Sequence, residues 1–229
     1  EKAVYGLYAR NDIVHPDGIT GVIYKAGEQV ATLTTDKNGQ ASVGGLYLGD
    51  YYVKEISPSV GYLADETEHD LVCNYEGDLV AEVKRDCTSL ERVMKQPFQI
   101  IKAANNGKTD ADLLKGAGFT AYLESSLTKK ADGSYDFDSA TPVVIGENGA
   151  TEMFTDEKGY ACSIALPYGT YIVRETTTPH NYTPVDDFTV RITENNPNQP
   201  QTWRVLLDDE FEAKLKIIKQ DDETKKPVL

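Results

Sequence analysis

The sequence predicts an all-β chain built as two tandem β-sandwich domains, and three observations carry that prediction. Short runs rich in Val, Ile, Thr and Tyr alternate apolar with polar residues, and no stretch sustains a helical period. Asp-x-x-Gly and Asn-Gly turns punctuate those runs, as hairpin connections do. The sequence also repeats itself: TTDKNGQASVGGLYLGDYYVKEISPSVGY (34–62) lies without a gap on FTDEKGYACSIALPYGTYIVRETTTPHNY (154–182). The offset is 120, pairing Tyr51 with Tyr171 and Glu55 with Glu175. Short strands in each copy, with turn signals between them, make a sandwich the natural architecture.

Taken in order, the first copy opens on AVYGLY (Ala3 to Tyr8), which matches AGFTAY (Ala117 to Tyr122) at a slightly different offset. Unequal loop lengths explain that difference. Asp36-Lys37-Asn38-Gly39 and Asp156-Glu157-Lys158-Gly159 read as hairpin turns with Gly at the left-handed position. No further acidic ligands follow them at calcium-loop intervals. The strands GDYYVKEIS and GTYIVRETT come next, and ERVMKQPF and QTWRVLLDDEFEAKL close the two copies. The second copy starts one strand earlier, on FQIIK, and KLKIIKQDDETKKPVL repeats that opening with Lys219 in the place of Lys102. The predicted domains are therefore 1–95, lacking its first strand; 96–213, a full sandwich; and 214–229, the first strand of a following domain. The chain is expected to be a fragment of a longer array. The same strand type is missing at one end and surplus at the other, so Lys214 to Lys219 is expected to fill the open sheet edge of a neighbouring molecule.

Composition excludes several classes of function. The chain has 229 residues, with 23 basic against 37 acidic side chains and a net charge of -14, which repels nucleic acid and anionic lipid surfaces. Three cysteines, Cys73, Cys87 and Cys162, form neither a zinc pattern nor a disulfide framework, and a Cys73 to Cys87 bridge is allowed but not implied. His15, His69 and His180 lie near no Cys or Glu at ligand spacing, so no metal and no cofactor are expected. No nucleophile elbow, phosphate-binding loop or zinc cluster supports a turnover enzyme. The opening EKAVYGLYAR is a strand pattern, so no signal peptide is expected there, and no membrane anchor or LPXTG-like sorting signal follows.

The candidate chemistry comes from strand alternation. In YIVRET, Tyr171, Val173 and Glu175 share one face, opposite Ile172, Arg174 and Thr176. The first copy puts Tyr51, Val53 and Glu55 together against Tyr52, Lys54 and Ile56, so the basic face is the solvent face and both glutamates point inward. In FQIIK, Phe98, Ile100 and Lys102 share a face. An inward Lys and an inward Glu each cost several kcal/mol unpaired, roughly, and are expected to meet each other or a third group.

GDYYVKEISPSVGY and GTYIVRETTTPHNY resemble the E-box of Cna B-type, or SpaA-like, domains of Gram-positive surface proteins and pilins. IIKAANNGKTDADLLKGAGF and IIKQDDETKKPVL resemble the first strand and turn of the same family, with its reactive lysine. The resemblance covers nearly the whole chain. It implies Ig-like, prealbumin-like sandwiches in which a first-strand lysine forms an amide with an Asn or Asp of the last strand while the E-box glutamate shuttles protons. Carried onto this chain, the lysine is Lys102 and the shuttle Glu175. The expected Asn is absent from QTWRVLLDDEFEAKL, leaving Asp208 and Asp209. Alternation with Trp203, Val205 and Leu207 favours Asp209, strand-end register presents Asp208 equally, and Leu207 in the acceptor place would leave Lys102 and Glu175 unreacted. In the first copy ERVMKQPF offers neither Asn nor Asp, so Glu55 is expected to have no bond to serve, and Lys219 is a family lysine without a partner.

The resemblance further implies a secreted protein of the bacterial cell wall or surface, acting as a structural stalk or spacer of an adhesin or pilin, with other domains of the same protein as partners. The competing expectation is an adhesive module that engages a host protein or glycan itself, through segments such as Arg10 to Ala31 and Leu123 to Ala150.

Overall fold

A computed structural model describes residues 1–108, 112–220 and 222–226. The chain forms two compact units, one of Glu1–Gln96 with Leu166–Gly169 and Arg191–Gln199, the other of Pro97–Ala165, Thr170–Val190 and Pro200–Leu229.

The first unit contains β1 (Val4–Ala9), β2 (Ile13–Val14), β3 (Val22–Tyr24), β4 (Gln29–Thr34), β5 (Gly49–Ser57), β6 (Tyr62–Leu63), β7 (His69–Cys73), β8 (Arg92–Val93) and β9 (Lys95–Gln96). Its main sheet has the order β4-β1-β5-β7, and β2-β3 and β6-β8 are two-stranded pairs. The inward residues Leu7, Ala9, Ile13, Tyr51 and Val53 form its core.

The second begins with β10 (Gln99–Ala104) and β11 (Gly118–Leu123), followed by β12 (Thr128–Lys129) and β13 (Tyr135–Asp136). After these come β14 (Glu152–Phe154), β15 (Tyr160–Cys162), β17 (Gly169–Thr177), β18 (Phe188–Ile192) and β19 (Arg204–Asp208), while β16 (Leu166–Pro167) lies in the first unit and pairs with β9. The sheet β14-β11-β17-β18 repeats the order of β4-β1-β5-β7. Its register repeats too: Glu55 faces Tyr5 and Glu175 faces Phe119, each beside a bulge, between Val4 and Tyr5 or between Gly118 and Phe119. A bulge at the same place in both copies sets the angle at which the glutamate strand crosses its neighbour.

What distinguishes the second unit is a further sheet, β15-β10-β19, with β10 central, antiparallel to β15 and parallel to β19. Among the described residues of the first unit no strand stands in the place of β10. Residues 40–42 and 87–91, at the places of β15 and β19, form no named strand either. The covering sheet closes the core: Phe119 and Met153 are buried, whereas Tyr5 and Leu33 at the equivalent places are only half-buried.

Both predicted turns form, but neither closes a hairpin: residues 40–42 after the first are in no named strand, and β14 and β15 on either side of the second belong to different sheets. Asp36 Oδ1 accepts the Asn38 and Gln40 backbone N–H groups at 2.8 and 2.9 Å, and Asp156 Oδ1 accepts those of Lys158 and Tyr160 at 2.8 and 3.0 Å. Gly39 and Gly159 follow at φ +74° and +64°, the left-handed region that a side chain disfavours. Cys73, Cys87 and Cys162 are all free thiols. Lys214 to Lys219, expected to read as a strand, belongs to no named strand here, and its apolar residues Leu215, Ile217 and Ile218 are exposed.

Candidate amide-forming site

The alternation in FQIIK and YIVRET places three side chains at one point. Phe98, Ile100 and Lys102 face the core along β10, and Tyr171, Val173 and Glu175 face it along β17. Lys102 sits where its backbone is clamped: its N–H donates to the Gly159 carbonyl at 2.7 Å and its carbonyl accepts the Leu114 N–H at 2.9 Å. A Cβ at Gly159 would overlap the Lys102 carbonyl oxygen. The glycine is thus required by conformation and by the close approach of β10.

Lys102 Nζ donates to Glu175 Oε2 at 2.7 Å and to Asp208 Oδ1, and all three side chains are 0% exposed. The Phe119 ring lies beneath the amine, its centroid 5.6 Å from Nζ. Glu175 Oε2 also accepts the Val185 N–H at 3.0 Å, which fixes the carboxylate. Glu175 Oε1 and Asp208 Oδ2 are buried and accept no hydrogen bond among the described residues. One ammonium against two carboxylates would leave a net negative charge sealed from water, which is costly. Burial, with Glu175 adding and Lys102 opposing, pushes the Asp208 carboxyl up to about 6. The protonated form of Asp208 is therefore far easier to reach near neutral pH than that of an ordinary aspartate.

Of the two candidate acceptors, Asp208 is the one that contacts Lys102. Asp209 lies at the surface and accepts the Asn105 side-chain amide at 2.6 Å, away from Lys102. The alternation that favoured Asp209 is inverted in β19: Trp203, Val205 and Leu207 face solvent, while Asp208 turns inward. The strand is the edge of its sheet, so apolar residues on it do not mark the core face. Leu207, the third alternative, is exposed and holds no acceptor place.

The first unit holds a residue that sequence reasoning missed. Tyr62 pairs with Val93 as Tyr182 pairs with Glu210, and counting back two residues puts Glu91 where Asp208 stands. Glu55 Oε2 accepts the Asp65 N–H at 2.7 Å, ten residues downstream, as Glu175 does with Val185. Tyr5 donates its hydroxyl to Glu91 Oε1 at 2.7 Å. Burial raises the Glu55 carboxyl, the Asp65 N–H opposes and Glu91 adds to the rise. Neither glutamate has a cation partner among the described residues. The signal in the sequence is the dipeptide Leu90-Glu91 beside Leu207-Asp208, with Glu in place of the Asn or Asp that the resemblance calls for. Lys219 lies far out in solvent on the exposed C-terminal segment.

Two sandwiches with one sheet order, one holding an amine and a carboxyl buried between its first and last strands, define a tandem prealbumin-like protein. The chain belongs to the SpaA family of prealbumin-like fold domains, whose model matches residues 3–86 and 97–204. No curated protein matches it. Among solved structures it is similar to the Bacillus anthracis TIE protein, at 24% identity and a TM-score of 0.52, over 91% of this chain and 31% of that one. The chain thus spans about a third of that protein's length, and the likeness is one of fold. It also aligns with a minor pilin of Streptococcus agalactiae, at 16% identity and a TM-score of 0.43, over 96% of this chain and 87% of that one. The shaft pilin spaA of Lactobacillus rhamnosus GG aligns at 18% identity and a TM-score of 0.35, over 93% and 89%. Among the described residues no helix is long and apolar enough to cross a membrane.

Proposed function

We propose that the chain is a load-bearing stalk or spacer of a bacterial surface protein or pilus, whose second unit locks itself by an amide between Lys102 and Asp208. The observation that carries this reading is the fully buried contact of Lys102 Nζ with both Glu175 and Asp208. In the reaction Glu175 takes a proton from the Lys102 ammonium, the freed amine attacks Cγ of Asp208, and the C–O bond to the protonated hydroxyl breaks. Glu175 returns its proton to that hydroxyl, which leaves as water, and then takes the second proton from the nitrogen, so that the amide is neutral and Glu175 ends protonated. Donor and acceptor are held in contact by the fold, and intramolecular placement of this kind corresponds to effective molarities of up to about 10⁵ to 10⁸ M. The chemistry happens once, so it makes a cross-link and not a turnover enzyme. Forming a neutral amide also removes the ammonium and the acid from a dry core.

The partners lie 106 residues apart in the chain, on β10 and its parallel neighbour β19. An amide there carries tension from first strand to last without loading the residues between. Pulling single molecules by their ends tests the function: the second unit should contribute no extension at forces that unfold the first, and Lys102→Ala should restore it. Full extension of both units in the unaltered chain would end the stalk reading. The amide accounts for family likeness, buried chemistry and a surface location together.

A further inference from the structure

The sheet β15-β10-β19 has one face on the core of the second unit and one in solvent. Cross-strand partners share a face, so on the solvent side Ile101 stands beside Val205, and Ala103 stands between Leu207 and Leu113. Trp203 lies two residues before Val205 on the same side. Trp203, Val205, Leu207 and Leu113 are 62%, 64%, 46% and 49% exposed, so the apolar face is most open along β19.

The edge beside that face is open as well. The Asp208 carbonyl accepts the Asn105 N–H at 2.7 Å, and in a parallel ladder both main-chain groups of one residue point to the same side. Arg204, Leu206 and Asp208 therefore turn theirs to β10. Val205 and Leu207 turn theirs away from it, where no strand pairs among the described residues. The strand, RVLLD, carries none of the devices that protect an edge: no proline, no lysine and no bulge in its register with β10.

We propose that β19 pairs antiparallel with β19 of a second copy of the chain, about a two-fold axis at Leu206, so that two chains join side by side through one continuous sheet. Val205 of each copy faces Leu207 of the other, and the two pairs close four main-chain hydrogen bonds. The occupant is a second copy because the edge is complementary to itself. The axis sets the Trp203 indole opposite the exposed Asp209, and it sets Arg204, which forms no ion pair among the described residues, diagonal to the exposed Glu210. Each contact occurs twice, as in any isologous interface. One strand and three large side chains cover less than the roughly 800 Å² per partner of a standard interface, so the pairing is weak and grows with concentration. On a surface that carries many copies, tethering supplies that concentration; this use rests on the stalk reading, whereas the contact itself needs neither that reading nor the Lys102–Asp208 amide.

Sedimentation of the full chain at up to about 1 mM, the weak end of specific binding, tests the pairing. The emission of Trp203, the chain's single tryptophan, reports the same contact. The unaltered chain should form dimers as concentration rises, with the emission moving to shorter wavelength as the indole leaves water. Val205→Pro removes an outward N–H and no bond to β10, and Leu207→Lys puts a charge on the solvent face. Each should melt like the unaltered monomer and weaken dimerisation by about tenfold or more. Arg204→Glu and Glu210→Arg should each weaken it too, and the two together should restore it. A chain that stays monomeric throughout, dimers that survive both Val205→Pro and Leu207→Lys, or a double charge reversal that fails to restore them overturns the proposal.

Discussion

Glu175 and Glu55 sit at the same place in two copies of one sheet, each held by a backbone N–H ten residues downstream and each facing an aromatic residue across the ladder. The surroundings diverge from there. Glu175 meets Lys102 and Asp208 under a second sheet, while Glu55 meets Glu91 and no cation among the described residues, with the segments on either side in no named strand. The comparison teaches that the E-box glutamate is positioned by its own sheet, and that its chemistry depends on what the opposing strands bring to it.

The largest expected effect comes from making the second unit resemble the first. Lys102→Ala leaves Glu175 with Asp208 and no amine, and it removes the proposed amide between residues 106 apart in the chain. The second unit should lose roughly 4 to 5 kcal/mol, on the scale of a disulfide closing a comparable loop. Thermal unfolding would show it, and a loss under about 1 kcal/mol would mean that no cross-link constrains the unfolded chain. Glu175→Gln keeps an acceptor for the Val185 N–H but no base, so it should fold, fail to form the amide and lose about as much.

Gly159→Ala attacks placement instead of chemistry. Its φ of +64° and the Lys102 carbonyl against it should cost about 1 to 3 kcal/mol and leave a fraction of chains uncross-linked. Gly39 has no atom within 4 Å of an added Cβ, so Gly39→Ala should be felt only through its φ of +74°. Equal losses at the two glycines, measured by denaturant unfolding, would remove the close approach of β10 as the reason for Gly159.

Opposite signs are expected for one substitution in the two copies. Glu55→Gln turns an acid pair into an amide that donates to Glu91 and should stabilise the first unit by about 0.5 to 1.5 kcal/mol, where Glu175→Gln is strongly destabilising. Loss of stability in both would show that Glu55 has a partner of its own.

Smaller still is the pH response. Glu55 titrates above the ordinary glutamate range, so the native state keeps a proton that the unfolded state has released. Stability of the first unit is therefore greatest below the ordinary value and declines as pH rises through the raised one. The second unit should show no such decline once Asp208 is an amide. Lys102→Ala, which restores a titrating Asp208 and removes the cation opposing its rise, should give it one through and above about pH 6. Melting each variant between about pH 4 and pH 8 measures both, and a flat first unit would contradict the carboxylate pairing.

These contrasts also show what could be read in advance. The inward faces of Ile100 with Lys102 and of Val173 with Glu175 follow from strand alternation, because both strands have one face on the core. Both turns, though not the hairpins, follow from Asp and Gly at fixed offsets. Asp208 was legible only as one of two neighbours, since β19 is an edge strand that shows Val205 and Leu207 to solvent and inverts the usual signal. Glu91 was not read at all. Residues 87–91 have no strand pattern to phase, and only the pairing of Tyr62 with Val93 supplies the register.

The central claim is that Lys102 and Asp208 are joined, and intact-mass spectrometry of the folded chain tests it most directly. The account predicts a mass one water below that of the sequence, the loss mapping to a branched peptide that contains Lys102 and Asp208 and vanishing in Lys102→Ala and Glu175→Gln. A folded chain at the full sequence mass would contradict it.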